Sequence, residues 1–297
     1  MIVLEEHVVP DHVKAMRLSD YAAHLFVSLP SRKGIKKAIK KGAVQIDGQR
    51  GYTGDWIQAG QRITLLDLLA TKPKPLALAL PIVYEDPHIA LVNKPAGLVV
   101  SGNQYRTVQN ALLYNLAASD QKDALPWPRA VHRLDAATSG LLLIAKTYSS
   151  HRSLGQQFEQ QQIRKTYQAV VHGATIEKGQ IEQAIDGKAA LTQFRRLQHF
   201  ASLRHQQLST LLLQPRTGRT HQLRRHLAQL GHPILGDQLY GQGVKILKGK
   251  GLFLAAIQLQ FNHPKTDETM IIDITAPNKF RTYPEREDRR ARQAGQK

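Results

Sequence analysis

The chain has 297 residues, of which 42% are hydrophobic, enough for one large and one small domain with ordinary cores. It contains no cysteine, which excludes disulfides, thiolate metal ligands and a cysteine nucleophile. The formal net charge of +18 favours a polyanionic partner. Nucleic acid is favoured over an anionic membrane, because no basic cluster flanks a large apolar face.

The amino-terminal residues 1–7 are acidic and lack the basic and long apolar segments of a secretory signal. The longest apolar run, residues 141–145, is too short to cross a bilayer. We therefore expect a soluble, cytoplasmic protein that does not associate with membranes.

Residues 17–67 are predicted to form a compact module that begins with a basic helix. Ser31 can cap this helix and Gly42 can end it. Its inner stripe consists of Ile35, Ala38 and Ile39. Its other faces carry basic side chains suited to phosphate groups, which are Arg32, Lys33, Lys36, Lys37, Lys40 and Lys41.

After this helix, residues 44–49 alternate in polarity and close in an Asp47-Gly48 turn, and residues 61–65 form a second strand. Helix, basic surface and hairpin together resemble the S-four type of RNA-binding domain, which implies such a domain at residues 1–70. An unrelated helix with a solvated lysine face is the alternative. The closely spaced prolines of residues 71–81 favour a linker.

From residue 82 onward, short strands and helices follow one another irregularly. We predict strands at residues 89–92, 141–145, 166–171, 191–197, 208–213, 252–261 and 271–275. Helices are predicted at residues 108–116 and 154–162, and another is predicted between a capping Thr220 and a terminating Gly231. This order indicates an α+β domain over residues 82–277 with a mixed, mostly antiparallel sheet.

The last segment, residues 278–297, carries seven basic and three acidic residues and shows no apolar periodicity. Such a segment is typical of a mobile basic tail that adds charge or merely solvates the end of the chain.

The sequence HRLDAATSG at residues 132–140 runs directly into the apolar residues 141–145. A short apolar run bounded by turn residues is typical of a buried strand, so Asp135 is expected on a loop held against a sheet. A catalytic role competes with a common structural one, in which the aspartate accepts hydrogen bonds from backbone N–H groups.

Three further segments accompany this one. They are NKPAGLVV at residues 93–100, KTYQAVV at 165–171 and TGRTHQLR at 217–224, continued by HLAQLGHPILGD at 226–237. The ordered set resembles the RluA branch of the RNA pseudouridine synthases, in which an S-four-like domain is a frequent companion. The resemblance implies the pseudouridine synthase fold and isomerisation of uridine to pseudouridine in RNA, a reaction that requires no metal or organic cofactor.

By this resemblance, three residues form the catalytic set. Asp135 is the essential carboxylate, acting as a nucleophile or as a base that removes a sugar proton. Tyr167 stacks on the flipped base and assists proton transfer. Arg224 pairs with Asp135 and favours its ionised form in a pocket from which water is expelled.

The resemblance also implies that Arg133 fills or braces the gap left by the extruded nucleotide. Arg225, the neighbour of Arg224, is the candidate for phosphate contact. The other candidates for substrate binding are His132, Thr138, Arg219, His221, Gln222 and Leu223. His132, His221 and His226 are expected to orient loops rather than to bind metal. Lys94 and Lys146 are expected to be solvated or to face phosphate.

The chain departs from the family pattern at two places near the expected RNA face. Residues 101–103 read Ser-Gly-Asn where many relatives carry His-Pro-Gly, and Ala136-Ala137 stands where a lysine commonly follows the aspartate. These differences bear on the choice of target rather than on the reaction. By fold-level analogy, the front domain favours large-subunit ribosomal RNA over transfer RNA, bound by a monomer.

Two other functions remain open from the sequence. The first is a non-catalytic RNA-binding or ribosome-associated factor on the same fold, which would not need a buried carboxylate and guanidinium together. The second, less favoured, is a nucleic-acid glycosylase that uses Asp135 to release a free base.

Overall fold

The computed structural model describes residues 3–26, 29, 31–66, 73–244, 247 and 249–295. Contacts within the chain divide it into two units, Met1–Pro73 and Lys74–Lys297. Residues 67–72, where the predicted first domain meets the predicted linker, lie outside the described residues. No helix in the described ranges is long and apolar enough to span a bilayer.

The first unit is a small α+β arrangement. Its elements are β1 (Val3–Val8), β2 (Met16–Arg17), α1 (Leu18–Tyr21), a 3-10 helix (Ala22–His24), α2 (Arg32–Lys40), β3 (Val44–Ile46), β4 (Gln49–Arg50), β5 (Trp56–Ile57) and β6 (Arg62–Leu66). Four strands form one sheet in the order β1-β6-β3-β4, and β2 pairs with β5. Strand β1 was not predicted, because Glu5 and Glu6 interrupt the apolar alternation of its sequence.

The prediction of helix α2 and of the hairpin after it is confirmed. The Ser31 Oγ accepts a hydrogen bond from the Gly34 N–H at 3.1 Å, so Ser31 caps the helix. The stripe predicted to face inward is buried. Asp47 and Gly48 have φ angles of 49° and 81°, the conformation of a tight two-residue hairpin turn.

The second unit holds a large sheet. Its elements are β7 (Ile82–Glu85), β8 (Ile89–Lys94), α3 (Val108–Asn115), β9 (Ala124–Ala130), β10 (Ser139–Thr147), α4 (Tyr148–Glu159), β11 (Arg164–His172), β12 (Lys178–Ile181), β13 (Thr192–Ser202), β14 (Gln206–Pro215), α5 (Gln222–Gln229), β15 (Leu254–Asn262), β16 (Thr269–Asp273) and α6 (Lys279–Ala294).

Ten strands of this unit form one sheet in the order β12-β13-β14-β11-β15-β10-β8-β7, with β16 paired to β15 and β9 to β10. Among the strands that the structure describes, only β10 and β15 pair in parallel. The predicted α+β class with a mixed, mostly antiparallel sheet is therefore confirmed.

Strand β10 contains the predicted buried run, and all nine of its residues are buried. It meets β15 through two residue pairs, Ser139 with Ala255 and Gly140 with Ala256. Gly140 has a φ of 116°, and a Cβ there would lie 2.1 Å from the Ala256 carbonyl oxygen. Only glycine fits at this crossing, which we call the sheet junction.

Alternate side chains of β10 enter two different cores, as expected for a strand covered on both faces. Leu142 and Ile144 pack in one core, with residues of α3. Leu141 and Leu143 pack in the other, with Leu154 of α4. The sheet is therefore sandwiched at its centre, which gives the loop before β10 a rigid support.

Two helix starts differ from the predictions. Helix α4 begins at Tyr148, six residues before the predicted start, because the Thr147 Oγ1 accepts a hydrogen bond from the Ser150 N–H. Helix α5 is not capped by Thr220. Its N-cap is His221, which has a φ of 54° and makes no side-chain cap, so that prediction is wrong.

The prediction of a mobile tail over residues 278–297 is wrong for α6. Phe280, Tyr283, Pro284 and Glu287 are buried, and their spacing places them on one face of the helix. Phe280 and Tyr283 join the core that includes Phe253. The apolar stripe is short and includes a charged residue, which concealed its periodicity in the sequence.

The second half of the predicted linker packs against α3 instead of bridging two domains. The Leu76 N–H donates to the Asn110 carbonyl at 3.0 Å, and the Leu80 N–H donates to the Asn115 Oδ1 at 2.7 Å. Leu80 is buried. These residues therefore belong to the second unit.

Candidate active site

Three motif segments of the second unit, residues 132–140, 165–171 and 217–224, contribute to the lining of one cavity of about 310 Å³. It is lined by the loop before β10, by β11 and by the segment leading into α5. The predicted site residues that line it are His132, Arg133, Asp135, Thr138, Tyr167, Arg219, His221, Gln222, Leu223 and Arg224. Residues that are far apart in sequence thus form one concave site, as expected for a ligand pocket.

Asp135 lies on the loop before β10 with 21% of its side chain exposed. Its Oδ2 is 3.7 Å from the Arg224 Nη1, and its Oδ1 is 3.7 Å from the His221 Nε2. The Asp135 main-chain carbonyl accepts a hydrogen bond from the Thr138 N–H at 3.0 Å, which closes the loop into a turn. The carboxylate therefore faces a guanidinium and an imidazole at distances that leave both of its oxygens available.

Arg224 is buried, and its principal partner is Asp237, not the predicted Asp135. The Nε and Nη2 of Arg224 donate to the two carboxylate oxygens of Asp237 at 2.8 and 2.7 Å. Burial alone would raise the pKa of Asp237, but the hydrogen bonds and charge of Arg224 lower it overall. This two-point contact fixes the guanidinium plane and directs Nη1 towards Asp135.

Asp237 is a site residue that the sequence analysis missed, although it ends one of the quoted segments. Its carboxylate side chain is fully buried and also accepts hydrogen bonds from the Leu239 and Tyr240 N–H groups. The available signal was indirect, because a buried arginine requires a buried partner of opposite charge.

Tyr240 is a second residue that was missed. Its hydroxyl oxygen is 3.0 Å from the His221 Nδ1, and the Arg224 guanidinium lies 5.1 Å from its ring centroid. It therefore orients the imidazole that faces Asp135 and covers one side of the arginine.

Tyr167 is half-buried on β11 and packs against two of the hydrophobic cores. Its backbone lies between Leu213 of β14 and Ala256 of β15, which fixes the position of the ring. Burial, and secondarily the charge of Asp135, raise the pKa of its phenol. The phenol thus stays protonated at neutral pH and can donate a hydrogen bond or a proton.

Gln222 uses both ends of its amide to hold the loop before α5. Its Oε1 accepts hydrogen bonds from the Thr217 hydroxyl at 2.7 Å and the Arg219 N–H at 3.0 Å. Its Nε2 donates to the Leu191 carbonyl and the Thr192 hydroxyl, both at 3.0 Å. This residue positions the loop rather than presenting a free group to the cavity. Thr138 and Leu223 are buried in the cavity wall.

The arginines in and near the cavity differ in exposure and in their hydrogen-bond partners. Arg133 is exposed. The Nε of Arg219 donates to the Ala189 carbonyl at 3.0 Å. Arg225 pairs with the exposed carboxylate of Asp186 at 2.9 Å and does not line the cavity.

The histidines that were expected to orient loops make such contacts. The His132 Nε2 accepts a hydrogen bond from the Leu143 N–H at 3.0 Å. Burial, with a smaller contribution from Lys165, lowers the pKa of His132 to about 3, so the ring is neutral. His226 is buried within hydrogen-bond distance of the Thr192 hydroxyl and the Gln183 carbonyl.

Lys94 is fully buried, which contradicts the expectation of a solvated or phosphate-facing side chain. Its ammonium group donates to the carbonyls of Pro95, Leu98 and Ala136 at 3.0, 2.7 and 3.2 Å. Burial lowers its pKa to about 8, against the opposing charge of Asp135. Lys94 thus ties the segment after β8 to the residue that follows Asp135.

Lys146 is also buried, and its Nζ contacts the Glu85 Oε1 at 2.6 Å. The expectation that it is solvated is therefore wrong as well. In contrast, Lys165 lines the cavity and was not predicted. It is half-buried, its Nζ lies 5.9 Å from the Phe158 ring centroid, and burial lowers its pKa.

In the first unit, the basic residues predicted to bind RNA are exposed on α2 and at its carboxyl end. They are Arg32, Lys33, Lys36, Lys37, Lys40 and Lys41. Arg32 forms an exposed ion pair with Asp20. The other five make no ion pair with a described residue.

Comparison with known proteins identifies the family of this chain. The family model for RNA pseudouridylate synthase matches residues 88–229. Ribosomal large subunit pseudouridine synthase D of Xanthomonas campestris is 33% identical over 92% of this chain and 89% of its own length. An RNA pseudouridine synthase of Aquifex aeolicus is 33% identical over 90% of this chain and 92% of its own length.

Among solved structures, human RNA pseudouridylate synthase domain containing 1 matches with a TM-score of 0.58 and 28% identity. The match covers 69% of this chain and 87% of the human chain. These relatives favour an enzyme over a non-catalytic RNA-binding factor. The chain belongs to the RluA-type RNA pseudouridine synthase family and isomerises uridine to pseudouridine in RNA.

Proposed function

We propose that this enzyme modifies specific uridines of large-subunit ribosomal RNA and that Asp135 is its catalytic carboxylate. The target is supported by several relatives whose names specify the large ribosomal subunit. The assignment of Asp135 rests on one observation. Asp135 is a partly exposed carboxylate in the cavity described above. It lies 3.7 Å from both Arg224 and His221, so neither residue forms a close hydrogen bond with it.

The reaction breaks the bond between the base nitrogen and the sugar and remakes the link through carbon five. The proton leaves carbon five and the freed nitrogen gains one, so neither redox chemistry nor an external group is needed. Asp135 acts as a nucleophile or as a base that removes a sugar proton. The protonated phenol of Tyr167 stacks on the flipped base and serves the proton transfers.

Arg224 acts on Asp135 through charge, and Asp237 makes that action possible. With two of its nitrogens held by Asp237, the guanidinium cannot turn away and keeps a positive field at the Asp135 carboxylate. A fixed positive charge of this kind stabilises negative charge at the reacting carboxylate. Arg224 and Asp237 are positioning residues in this proposal.

The RNA would be held at both units. Exposed Arg133 occupies the gap left by the flipped nucleotide, and half-buried Lys165 contacts a phosphate beside it. The lysines of α2 contact phosphates further along the RNA, as an S-four-like domain would. A cytoplasmic location and a monomeric state remain predictions of the sequence.

The test compares wild type with Asp135→Asn on large-subunit RNA from a strain that lacks the gene. Carbodiimide treatment and primer extension then map each pseudouridine. We expect wild type to restore one or a few sites and Asp135→Asn to restore none. Asp186→Asn is the matched control, because it removes an exposed aspartate and should act as wild type.

Identical maps for wild type and Asp135→Asn would refute the catalytic assignment. If wild type modifies transfer RNA and leaves large-subunit RNA unchanged, the proposed target is wrong, but the assignment of Asp135 is unaffected.

A further inference from the structure

The first unit exposes two large aromatic side chains four residues apart, one in the turn before β5 and the other at the start of β5. Trp56 is 62% exposed and Tyr52 is 59% exposed. The other tryptophan of the chain, Trp127, is 8% exposed. Tryptophan is usually buried for most of its surface, so an exposed one beside an exposed tyrosine suggests a contact surface.

The backbone of this turn is fixed, so both rings project from a defined support. The Tyr52 N–H donates to the Asp55 Oδ2 at 2.7 Å, and the Asp55 N–H donates to the Tyr52 carbonyl at 3.1 Å. Trp56 pairs with Arg17 across β2 and β5.

The aromatic turn is joined to the basic helix α2 through Arg50. The Arg50 Nη2 donates to the Lys40 carbonyl at 2.9 Å, and its guanidinium carbon lies 5.5 Å from the Tyr52 ring centroid. Gly42 leaves room for this side chain, because a Cβ there would approach the Arg50 Nε at 3.2 Å. Arg50 thus joins Tyr52 to the carboxyl end of the basic helix, and these groups, with Trp56 four residues further on, make up the candidate contact surface.

We propose that this surface binds an unpaired stretch of RNA, with bases stacked on Trp56 and Tyr52 and phosphates held by α2. Aromatic platforms beside a basic track are the general solution for single-stranded nucleic acids, because every base has a face that can stack. A helix with basic residues alone binds a duplex equally well. The aromatic turn therefore adds a preference for unpaired RNA to the RNA binding of the proposed function, on which this inference rests.

A protein partner is the other ligand to consider for exposed aromatic rings. The charge of the neighbouring helix favours RNA, since α2 contains no acidic residue and its lysines lack ion-pair partners among the described residues. Two separate rings in a polar turn also differ from the broad apolar patch of a protein interface.

The experiment uses the position of the two tryptophans. In a full-length Trp127→Phe variant, Trp56 is the single tryptophan and reports directly on stacking. This variant is titrated with a blunt RNA hairpin whose loop nucleotides are replaced by a hexaethylene glycol linker, and with the same hairpin carrying an unpaired extension, at equal concentrations of phosphate groups. We expect the extension to quench Trp56 fluorescence and the blunt hairpin to leave it nearly unchanged.

Binding is then measured for Trp56→Ala and Tyr52→Ala in the otherwise wild-type chain. Each should lose about 5- to 150-fold in affinity for the extended hairpin and little for the blunt one. Trp56→Phe should recover most of the loss, which separates stacking from a folding defect. Tyr114→Ala is the matched control, because Tyr114 is 63% exposed in the second unit.

Equal losses on both RNAs, or no loss on either, would overturn the preference for unpaired RNA. In both cases wild type still binds RNA and the proposed function stands. If wild type binds neither RNA, the failure belongs to the proposed function instead. Fluorescence that responds to a ribosomal protein and not to RNA would assign the turn to a protein partner.

Discussion

Helices α2 and α5 are both short and basic and contain no acidic residue, yet they treat charge in opposite ways. The lysines of α2 point into solvent. On α5, Arg224 and His226 are buried and satisfied by residues from elsewhere in the chain, such as Asp237. A basic sequence therefore does not reveal whether a charged side chain is available to bind a ligand or is neutralised by a partner inside the fold.

The difference follows from what surrounds each helix. Helix α2 packs one apolar stripe against the core, and its other faces are in contact with water. A single charge that stays in water has almost no desolvation cost. Helix α5 lies against a sheet and a cavity, where an unpaired charge would cost several kcal/mol. One helix is thus built for electrostatic attraction, and the other for holding a charge at a fixed place.

The largest expected effect comes from breaking the buried pair of α5. Arg224→Gln should lower the free energy of unfolding by about 3 to 5 kcal/mol, because Asp237 would remain buried without its partner. It should also impair isomerisation. Urea unfolding of Arg224→Gln and Arg225→Gln tests the contrast, since the exposed pair of Arg225 should contribute less than about 1 kcal/mol.

A double variant, Arg224→Met with Asp237→Leu, should be less destabilised than the sum of its single variants, because no lone charge remains. If Arg224→Gln and Arg225→Gln were equally stable, the contrast between the buried ion pair of Arg224 and the more exposed one of Arg225 would be wrong.

The next effect is on RNA affinity and concerns α2. Substituting Lys33, Lys36 and Lys40 by glutamine should weaken binding roughly a hundredfold at moderate salt and reduce the slope of log affinity against log salt by about 3. The free energy of unfolding should change little. Filter binding across a salt series measures both quantities.

A matched variant removes three exposed lysines of the second unit, Lys178, Lys188 and Lys265. It carries the same net charge as the α2 variant. If the slope of log affinity against log salt were equal for the two variants, RNA affinity would depend on net charge alone. The proposal that α2 contacts RNA phosphates would then be wrong.

A smaller effect concerns pH and the buried Lys94. The pKa of Lys94 is about 8 in the folded chain against an ordinary value of 10.5, so between these pH values the unfolded chain binds more protons. The contribution of Lys94 to the free energy of unfolding should therefore rise as pH increases from about 8 towards 10. Urea unfolding of wild type and Lys94→Met at pH values of about 7 and about 9.5 measures this difference.

The difference in the free energy of unfolding between wild type and Lys94→Met should therefore change in favour of wild type as pH rises. A difference that stays constant or narrows would contradict the burial of this amine.

The smallest effect is expected at the start of α2. Ser31→Ala removes the cap and should cost about 1 kcal/mol of unfolding free energy, with a modest loss of RNA affinity. Ser31→Asp retains an acceptor and should restore stability. Thermal unfolding of the three proteins is the measurement, and an unaffected Ser31→Ala protein would show that tertiary packing alone fixes this helix.

Sequence patterns correctly predicted the elements whose burial and capping depend on residues that are close together in the chain. The apolar run in β10 and the capped helix α2 are examples, because their burial and caps lie within a few residues of one another. The cavity residues Asp135, Tyr167 and Arg224 were predicted by resemblance, and the structure brings all three together.

The parts that escaped prediction depend on contacts between distant segments. Asp237 and Tyr240 lie in an irregular segment, and their roles exist only because α5 packs beside it. Lysine is rarely buried, so nothing local could show that Lys94 meets three carbonyls, one of which is 42 residues away. Helix α6 was missed because a glutamate completes its buried face.

The sheet junction at Gly140 has a consequence for how the enzyme can lose activity. Asp135 precedes β10 on one side of the junction, whereas Tyr167 on β11 belongs to the other, and strand pairing joins β10 to β15 by only two residue pairs. The reacting groups thus lie on opposite sides of a short strand pairing, although the hydrophobic packing continues across it, since Ala256 and Tyr167 share a core with Leu142. A side chain introduced at Gly140 would force these two strands apart and move the acid away from the phenol, so catalysis depends on a residue that carries no reactive group.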